Sequence, residues 1–220
     1  MGRLFEAKRY LLTAGHCTAH TNGVSVTTGA NGGVGTPLGT TSRAQPTDLG
    51  SFDRLDVLLI GSLSCLGSAP GSVCAGQGFS QPQIYVGDVG VNEDIRIVKN
   101  RTTAVPGMVV CSSGSFSGTR CDLQVEEVDV RQEFLFGGIV RELARARHRF
   151  GESASGQGDS GGPVYTPRGT TNEVNAAGIV VGGTTDATCR NVINRVCGTE
   201  LYFQPIFEAL RVTDVWLEVQ

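Results

Sequence analysis

The stretch Gly158-Asp159-Ser160-Gly161-Gly162-Pro163 carries more information than any other part of this sequence. It places a serine between an acidic residue and a pair of glycines. A serine hydroxyl is a weak nucleophile unless a base lies beside it, and acyl transfer needs backbone N–H groups directed at the oxygen that becomes negative. Gly158 and Ser160 can supply two such groups, because a glycine lets the backbone approach a carbonyl without a Cβ in between. The stretch therefore predicts that Ser160 is a nucleophile.

Two candidate partners for Ser160 lie upstream. His16 stands within Thr13-Ala14-Gly15-His16-Cys17, and Asp56 begins a short apolar run. Asp53, three residues earlier, is the competing carboxylate, and we prefer Asp56 because apolar residues follow it at once. The chain order His, Asp, Ser is one of three unrelated orders in which a catalytic triad occurs.

These motifs resemble those of the trypsin/chymotrypsin-type serine endopeptidases: residues 13–17, an aspartate heading an apolar strand, and residues 158–163. Cys111 to Cys121, a short stretch rich in serine and glycine, is similar to a hairpin of the secreted bacterial branch, the streptogrisins and α-lytic protease. Residues 201–206 are similar to the same branch. The resemblance covers most of the chain from Tyr10 onward.

The composition favours an all-β fold. The 220 residues include 31 glycines, only 18% are charged, and 40% are hydrophobic. Short apolar stretches interrupted by Gly, Ser, Thr and Asn are typical of many short strands joined by turns. With the resemblance, this predicts two antiparallel Greek-key β-barrels and a C-terminal helix near residues 205–211. We expect one barrel half in residues 1–103 and the other in residues 104–220.

Several strands follow from the apolar pattern. We expect the first half to include strands at residues 84–86 and 95–98, and the second half strands at residues 124–130 and 138–147. Residues 139–148 could instead form a helix, because their charged and apolar residues alternate poorly. The resemblance implies a strand there.

The resemblance implies a role for each triad residue. Ser160 would attack the scissile carbonyl, His16 would act as general base and then as general acid, and Asp56 would orient the imidazole. The N–H groups of Gly158 and Ser160 would form the oxyanion hole. The implied function is peptide-bond hydrolysis through an acyl-enzyme, with no cofactor and no metal.

Asp159 is expected to be buried behind the oxyanion loop rather than to react. A buried carboxylate needs a partner, and the bacterial relatives commonly use an arginine just after the first cysteine of the hairpin. This chain has Ser112 at that position. Arg120 or another arginine is the candidate substitute.

The resemblance also assigns a specificity pocket, with Ala154 at its base, Ser155 beside it, and a wall formed by Val181, Gly182 and Gly183. Ala154 carries no charge, which favours an apolar or aromatic substrate side chain. Glu200 and Glu152 are the alternative, because a carboxylate reaching the pocket would favour a basic side chain.

Seven cysteines are present. Their spacing suggests three local disulfides, Cys65–Cys74, Cys111–Cys121 and Cys189–Cys197. Disulfides at this density indicate an oxidising compartment, and we expect a secreted protein. Cys17 is left over, whereas the resemblance implies a partner upstream. Together with the short segment before Tyr10 and the lack of a signal peptide at Met1, this leads us to expect a truncated form without the N-terminal hairpin.

The expected partner is a polypeptide substrate. A net charge of −3 argues against nucleic acid, and no apolar run reaches the roughly 20 residues that span a membrane. The basic stretch 141–149 is interpreted as a solvated face, with a binding patch as the alternative. We expect a monomer.

Two other functions remain open. The chain could be a non-catalytic, protease-like binding module or an inactive truncated fragment, given the unpaired Cys17 and the serine at position 112. It could also be an esterase that uses the same triad.

Overall fold

The computed structural model describes residues 10–19, 21–27, 37–42, 53–62, 82–88, 91–134, 138–169, 171–190 and 194–220. The strands in this part of the chain are β1 (Tyr10–Thr13), β2 (Ser25–Thr27), β3 (Pro37–Ser42), β4 (Asp53–Arg54), β5 (Leu58–Ser62), β6 (Gln83–Asp88), β7 (Val91–Arg101), β8 (Val109–Gly114), β9 (Gly118–Glu133), β10 (Ile139–His148), β11 (Ser155–Gly156), β12 (Pro163–Pro167), β13 (Glu173–Gly183), β14 (Cys197–Gly198) and β15 (Glu200–Pro205). The α-helix α1 (Ile206–Thr213) follows β15 directly, and a short 3₁₀ helix (Gly15–Thr18) follows β1.

A four-stranded antiparallel sheet carries His16 and Asp56. Its strand order is β1-β5-β3-β2. Thr13 at the end of β1 pairs with Leu58 at the start of β5. His16 lies three residues beyond this pair and Asp56 two residues before it, so the pairing brings both side chains to the same edge of the sheet.

The second sheet is larger and holds the remaining long strands, in the order β12-β8-β9-β10-β15-β13-β7-β6. Strands β8 and β9 form the predicted cysteine hairpin, bridged by the Cys111–Cys121 disulfide. Strand β10 pairs with both β9 and β15. The interpretation of residues 139–148 as a helix is therefore wrong, because strand neighbours on both sides fix the backbone in an extended form.

Strands β6 and β7 belong to the larger sheet, not to the smaller one as expected. They pair with each other, and β7 also runs parallel to β13 from Glu173 to Ala176. The apolar pattern predicted both strands correctly, but alternation within a strand does not identify the strand that it pairs with. The division of the chain at residue 103 remains a prediction.

The main core is built from β8, β9, β10, β13 and β15. Leu201 and Phe203 of β15 are fully buried in it, together with Val164 and Val180. Because successive side chains of a strand point to opposite faces, Glu200 and Tyr202 lie on the other face of β15. This alternation separates the core from the charged face described below.

Helix α1 joins the two sheets. Its Ala209 packs with Leu55 and Val57, which flank Asp56, and with Ile179 of β13. The helix ends at Thr213, where Asp214 takes a left-handed conformation, and Trp216 beyond it is exposed. No helix in the described part of the chain is long and apolar enough to span a bilayer.

Two of the three expected disulfides are present, Cys111–Cys121 and Cys189–Cys197. The expected Cys65–Cys74 pair lies outside the described residues. Cys17 is a free, exposed thiol.

The core assignment predicts the effect of truncating Phe203. We expect Phe203→Ala to lower the free energy of unfolding by about 3–5 kcal/mol, because it removes a fully buried ring and leaves a cavity. The matched control is Phe150→Ala, since the Phe150 ring is 71% exposed. Urea denaturation of both variants measures the difference, and equal losses would contradict the assignment.

Candidate active site

Two hydrogen bonds fix His16 against the buried carboxylate of Asp56. The His16 backbone N–H donates to Asp56 Oδ1 at 2.7 Å, and His16 Nδ1 lies 2.5 Å from Asp56 Oδ2. Asp56 is fully buried. Because the two contacts engage the backbone and the ring of the same residue, the imidazole is oriented with Nδ1 toward Asp56 and Nε2 away from it. The carboxylate that contacts His16 is thus Asp56, the residue preferred over Asp53.

Gln204, near the end of β15, accepts a hydrogen bond from the Asp56 backbone. The Asp56 backbone N–H donates to Gln204 Oε1 at 3.4 Å, and Gln204 Nε2 donates to the Glu142 carbonyl at 3.0 Å. Gln204 is fully buried. This amide connects the Asp56 backbone to β10, and nothing in the sequence pattern pointed to its role.

The Ser160 loop lies against the segment that carries His16. A Cβ on Gly161 would come 2.1 Å from Thr13 Oγ1 and 3.1 Å from the Ala14 nitrogen. Cys17 Sγ lies 3.9 Å from the Ser160 carbonyl oxygen. The Ser160 hydroxyl donates to the Val181 carbonyl at 3.4 Å. The fold therefore packs the serine loop directly onto residues 13–17.

Gly158 adopts a conformation that few other residues tolerate. Its φ is +98°, and a Cβ would come 2.3 Å from the Phe116 ring. Asp159 N–H bonds to the Gly156 carbonyl at 3.1 Å, so the backbone turns tightly here. The N–H groups of Gly158 and Ser160 have no acceptor among the described residues.

Asp159 is buried, and three backbone N–H groups bind its carboxylate. Phe116 and Ser117 donate to Oδ1 at 3.0 Å each, and Gly156 donates to Oδ2 at 2.8 Å. The expected cationic partner is thus replaced by backbone donors, which can satisfy a buried carboxylate equally well. Gly114 is needed for this arrangement, because a Cβ there would come 2.1 Å from Asp159 Cγ.

Arg120, the expected substitute partner, bonds elsewhere. It is buried, donates to the Thr119 carbonyl at 2.9 Å and forms an ion pair with Asp88 at 3.7 Å. Burial and the nearby Arg190 lower its pKa, while Asp88 and Asp159 act in the opposite direction. Arg120 therefore interacts with Asp159 through space, without an ion pair between them in the described structure. Ser112 donates to the Ala154 carbonyl at 3.3 Å.

The expected pocket residues lie in β11, in β13 and just before β11, and the Val181 carbonyl accepts a hydrogen bond from the Ser160 hydroxyl. Ser155 and Gly156 of β11 pair with Gly198 and Cys197 of β14. A Cβ on Gly183 would come 2.4 Å from Ser155 Oγ, so these two walls approach closely. Ala154 is fully buried within the main core.

Glu200 is engaged on the other face of β15, away from the core-facing Leu201. Arg147 donates to its carboxylate, Arg145 lies 3.7 Å from the same oxygen, and the Tyr202 hydroxyl donates to it at 3.3 Å. The alternative in which Glu200 selects a basic substrate side chain is not supported by this placement.

Glu152 lines a cavity of about 530 Å³ together with Ser153, Asp186 and Arg190. The two arginines that bind Glu200 belong to the basic stretch 141–149, and they also pair with Glu126 at 3.3–3.4 Å. Arg145 and Arg147 of this stretch are therefore paired with carboxylates.

Cys17 is exposed beside the site, and its thiol stays protonated at neutral pH. Its pKa is raised, first by the loss of solvent around the sulfur and then by the negative charge of Asp56. Thiolate is the reactive form of cysteine, so the structure gives Cys17 no role as a nucleophile.

No family model matches the sequence, and no curated protein matches it. Thermobifida fusca protease A superposes with a TM-score of 0.62 and 23% identity, over 97% of this chain and 87% of that one. Cellulomonas bogoriensis chymotrypsin gives 0.60 and 25%, over 95% and 85%. A glutamic acid specific serine protease gives 0.62 and 23%, over 98% and 89%.

The chain has the fold of the bacterial chymotrypsin-like serine proteases. This confirms the expected all-β, chymotrypsin-type fold and the resemblance to the bacterial branch. Phe116 was not predicted from the sequence. Its backbone N–H donates to Asp159, and its ring packs against Gly158. Gly114 was the available signal, because its missing Cβ leaves room for the Asp159 carboxylate.

The N–H cradle of Asp159, formed by the backbone of Phe116, Ser117 and Gly156, predicts that Asp159→Asn is destabilising. An asparagine offers one acceptor oxygen, and its NH₂ group would face a backbone N–H, so one buried donor loses its partner. We expect the free energy of unfolding to fall by about 1–3 kcal/mol. Asp88→Asn is the matched control, since Asp88 is half-exposed and its carboxylate lies 3.7 Å from the Arg120 guanidinium. Urea denaturation compares the two, and equal stability would refute the cradle.

Proposed function

We propose that this protein is a serine endopeptidase that cleaves peptide bonds through an acyl-enzyme intermediate. The observation that carries the proposal is the His16–Asp56 pair, held at 2.5 Å, with the Ser160 loop packed on the same segment. A triad is recognised by geometry and roles rather than by sequence position. The protease fold of the structural neighbours supports this interpretation but does not by itself establish activity.

The first chemical step is attack by Ser160. Its hydroxyl turns from the Val181 carbonyl toward His16 Nε2, which takes the proton as Oγ bonds to the scissile carbonyl carbon. The carbonyl π electrons move onto oxygen. The buried Asp56 carboxylate stabilises the imidazolium that forms, because a fixed negative charge faces Nδ1.

The oxygen that becomes negative is bound by the Gly158 and Ser160 N–H groups. Donors that are already in place stabilise such charge without reorganisation. His16 then gives its proton to the leaving amine as the C–N bond breaks, and the acyl group remains on Ser160. Water, deprotonated by His16, attacks the ester and releases the acid.

An uncharged, apolar side chain is the preferred substrate at the pocket. Ala154 at the base has no charge, and the Glu200 carboxylate is paired with Arg147 and Arg145. A buried pocket without a counter-ion disfavours a lysine or arginine side chain, since its charge would lose solvent without compensation.

The substrate is a polypeptide, and the protein acts as a monomer outside the cytoplasm. The two disulfides, each within a short loop, support an oxidising environment. The open backbone edge of residues 181–183, beside the serine, suits an extended peptide that adds as a strand.

A fluorophosphonate probe tests the catalytic serine. We expect covalent labelling at Ser160 in the folded protein, no labelling of Ser160→Ala, and a loss of about 10⁴-fold in labelling rate for Asp56→Asn, which misorients the imidazole. Ser25→Ala, in an exposed strand position, is the control and should label like wild type. Mass spectrometry locates the adduct. A folded, disulfide-intact protein that takes no label would favour the non-catalytic binding module.

A panel of peptide amides that differ only in the residue before the scissile bond tests the pocket. We expect kcat/KM for leucine or phenylalanine to exceed that for lysine or arginine by at least about 10-fold. Glu200→Gln should leave this ratio unchanged, because the carboxylate faces Arg147 rather than the substrate. A basic preference that disappears in Glu200→Gln would overturn the assignment. Ester turnover without amide turnover would support an esterase instead.

A further inference from the structure

Residues 195–197 contact residues 156–157, which directly precede the proposed oxyanion donor Gly158. The Gln157 N–H donates to the Val196 carbonyl at 2.9 Å, and Gly156 pairs with Cys197. Arg195 Nη1 donates to the Gln157 carbonyl at 3.0 Å. Both peptide groups of Gln157, the residue before Gly158, are therefore fixed by this short segment.

Arg195 also stacks on the Phe116 ring, which packs against Gly158 of the proposed oxyanion site. Its guanidinium carbon lies 3.5 Å from the centroid of Phe116. That ring occupies the space where a Cβ of Gly158 would stand, at 2.3 Å, and Arg195 Nη1 would lie 3.1 Å from the same Cβ. Arg195, Phe116 and Gly158 thus form a stack in which the guanidinium covers the ring and both contact the glycine.

The Cys189–Cys197 disulfide sets the position of this segment. It closes a loop of short sequence separation, and a Cβ on Gly156 would come 2.6 Å from Cys197 Sγ. The disulfide therefore packs on one end of residues 156–158 while Arg195 holds the other. A cation is attracted to an aromatic face, and this contact favours one conformation of the loop over others.

We propose that Arg195 is a positioning residue for catalysis, which keeps the Gly158 N–H directed at the oxyanion through Phe116 and the Gln157 carbonyl. Its charge adds to this effect, because the guanidinium lies against the loop that carries Gly158 and a positive charge there favours a negative oxygen. The inference rests on the proposed function, since it assigns Arg195 to the same reaction.

Arg195→Met tests the proposal, because methionine keeps an unbranched apolar chain but removes the donor and the charge. We expect kcat on a peptide amide to fall by about 5- to 50-fold with KM changed less than about twofold, since complete loss of one oxyanion donor costs about 100- to 1,000-fold. Arg195→Lys should recover part of the loss. Phe116→Leu, which removes the flat ring, should resemble Arg195→Met.

The matched control is Arg190→Met in the same disulfide loop, since Arg190 faces Arg120 rather than Phe116. A kcat for Arg195→Met equal to that of Arg190→Met would overturn the proposal. Amide hydrogen exchange of residues 156–160 gives a readout that does not need turnover. We expect faster exchange in Arg195→Met than in wild type, and unchanged exchange would overturn the proposal even in a protein without activity. Failure of wild type to take the fluorophosphonate label would instead refute the proposed function.

Discussion

The buried carboxylate of Asp56 is the constraint on which the rest of the site depends. A charge placed in the interior is tolerated only where donors surround it, and here the His16 backbone and ring supply two of them. To bring these donors to Asp56, β1 must pair with β5 in the observed register, because a slip of one residue would turn Asp56 to the other face. The apolar residues on either side of Asp56 then have to pack on helix α1 and Ile179, which couples the small sheet to the large one.

A second buried carboxylate, Asp159, organises the other half of the site by different means. Its partners are the N–H groups of Phe116, Ser117 and Gly156, all of them backbone. Backbone donors are lost only where proline is introduced, but their direction depends on the shape of two loops. The hairpin between β8 and β9 and the turn before Ser160 are therefore coupled through one side chain. At Gly114 this coupling leaves no room for a Cβ, which would come 2.1 Å from Asp159 Cγ.

The sequence predicted the elements whose chemistry is local. The strands, the C-terminal helix, the two short-range disulfides and the residues His16, Asp56 and Ser160 stood in motifs that could be interpreted without coordinates. It could not predict which distant strands pair, as with β6 and β7. The alternation of apolar and polar residues within a strand does not identify the strand beside it. It also misjudged the partner of Asp159, because the sequence shows side-chain charges but not the direction of backbone N–H groups.

Glu200 illustrates the same limit at the pocket. Its position in the sequence, just before Leu201 and Tyr202, allowed a carboxylate that reaches the pocket and selects a basic side chain. The structure turns it to the face where Arg145 and Arg147 of β10 lie, since Leu201 and Phe203 on the same strand must face the core. Because Leu201 packs in the core, Glu200 points to the opposite face of β15, where it is buried and pairs with Arg145 and Arg147 of β10.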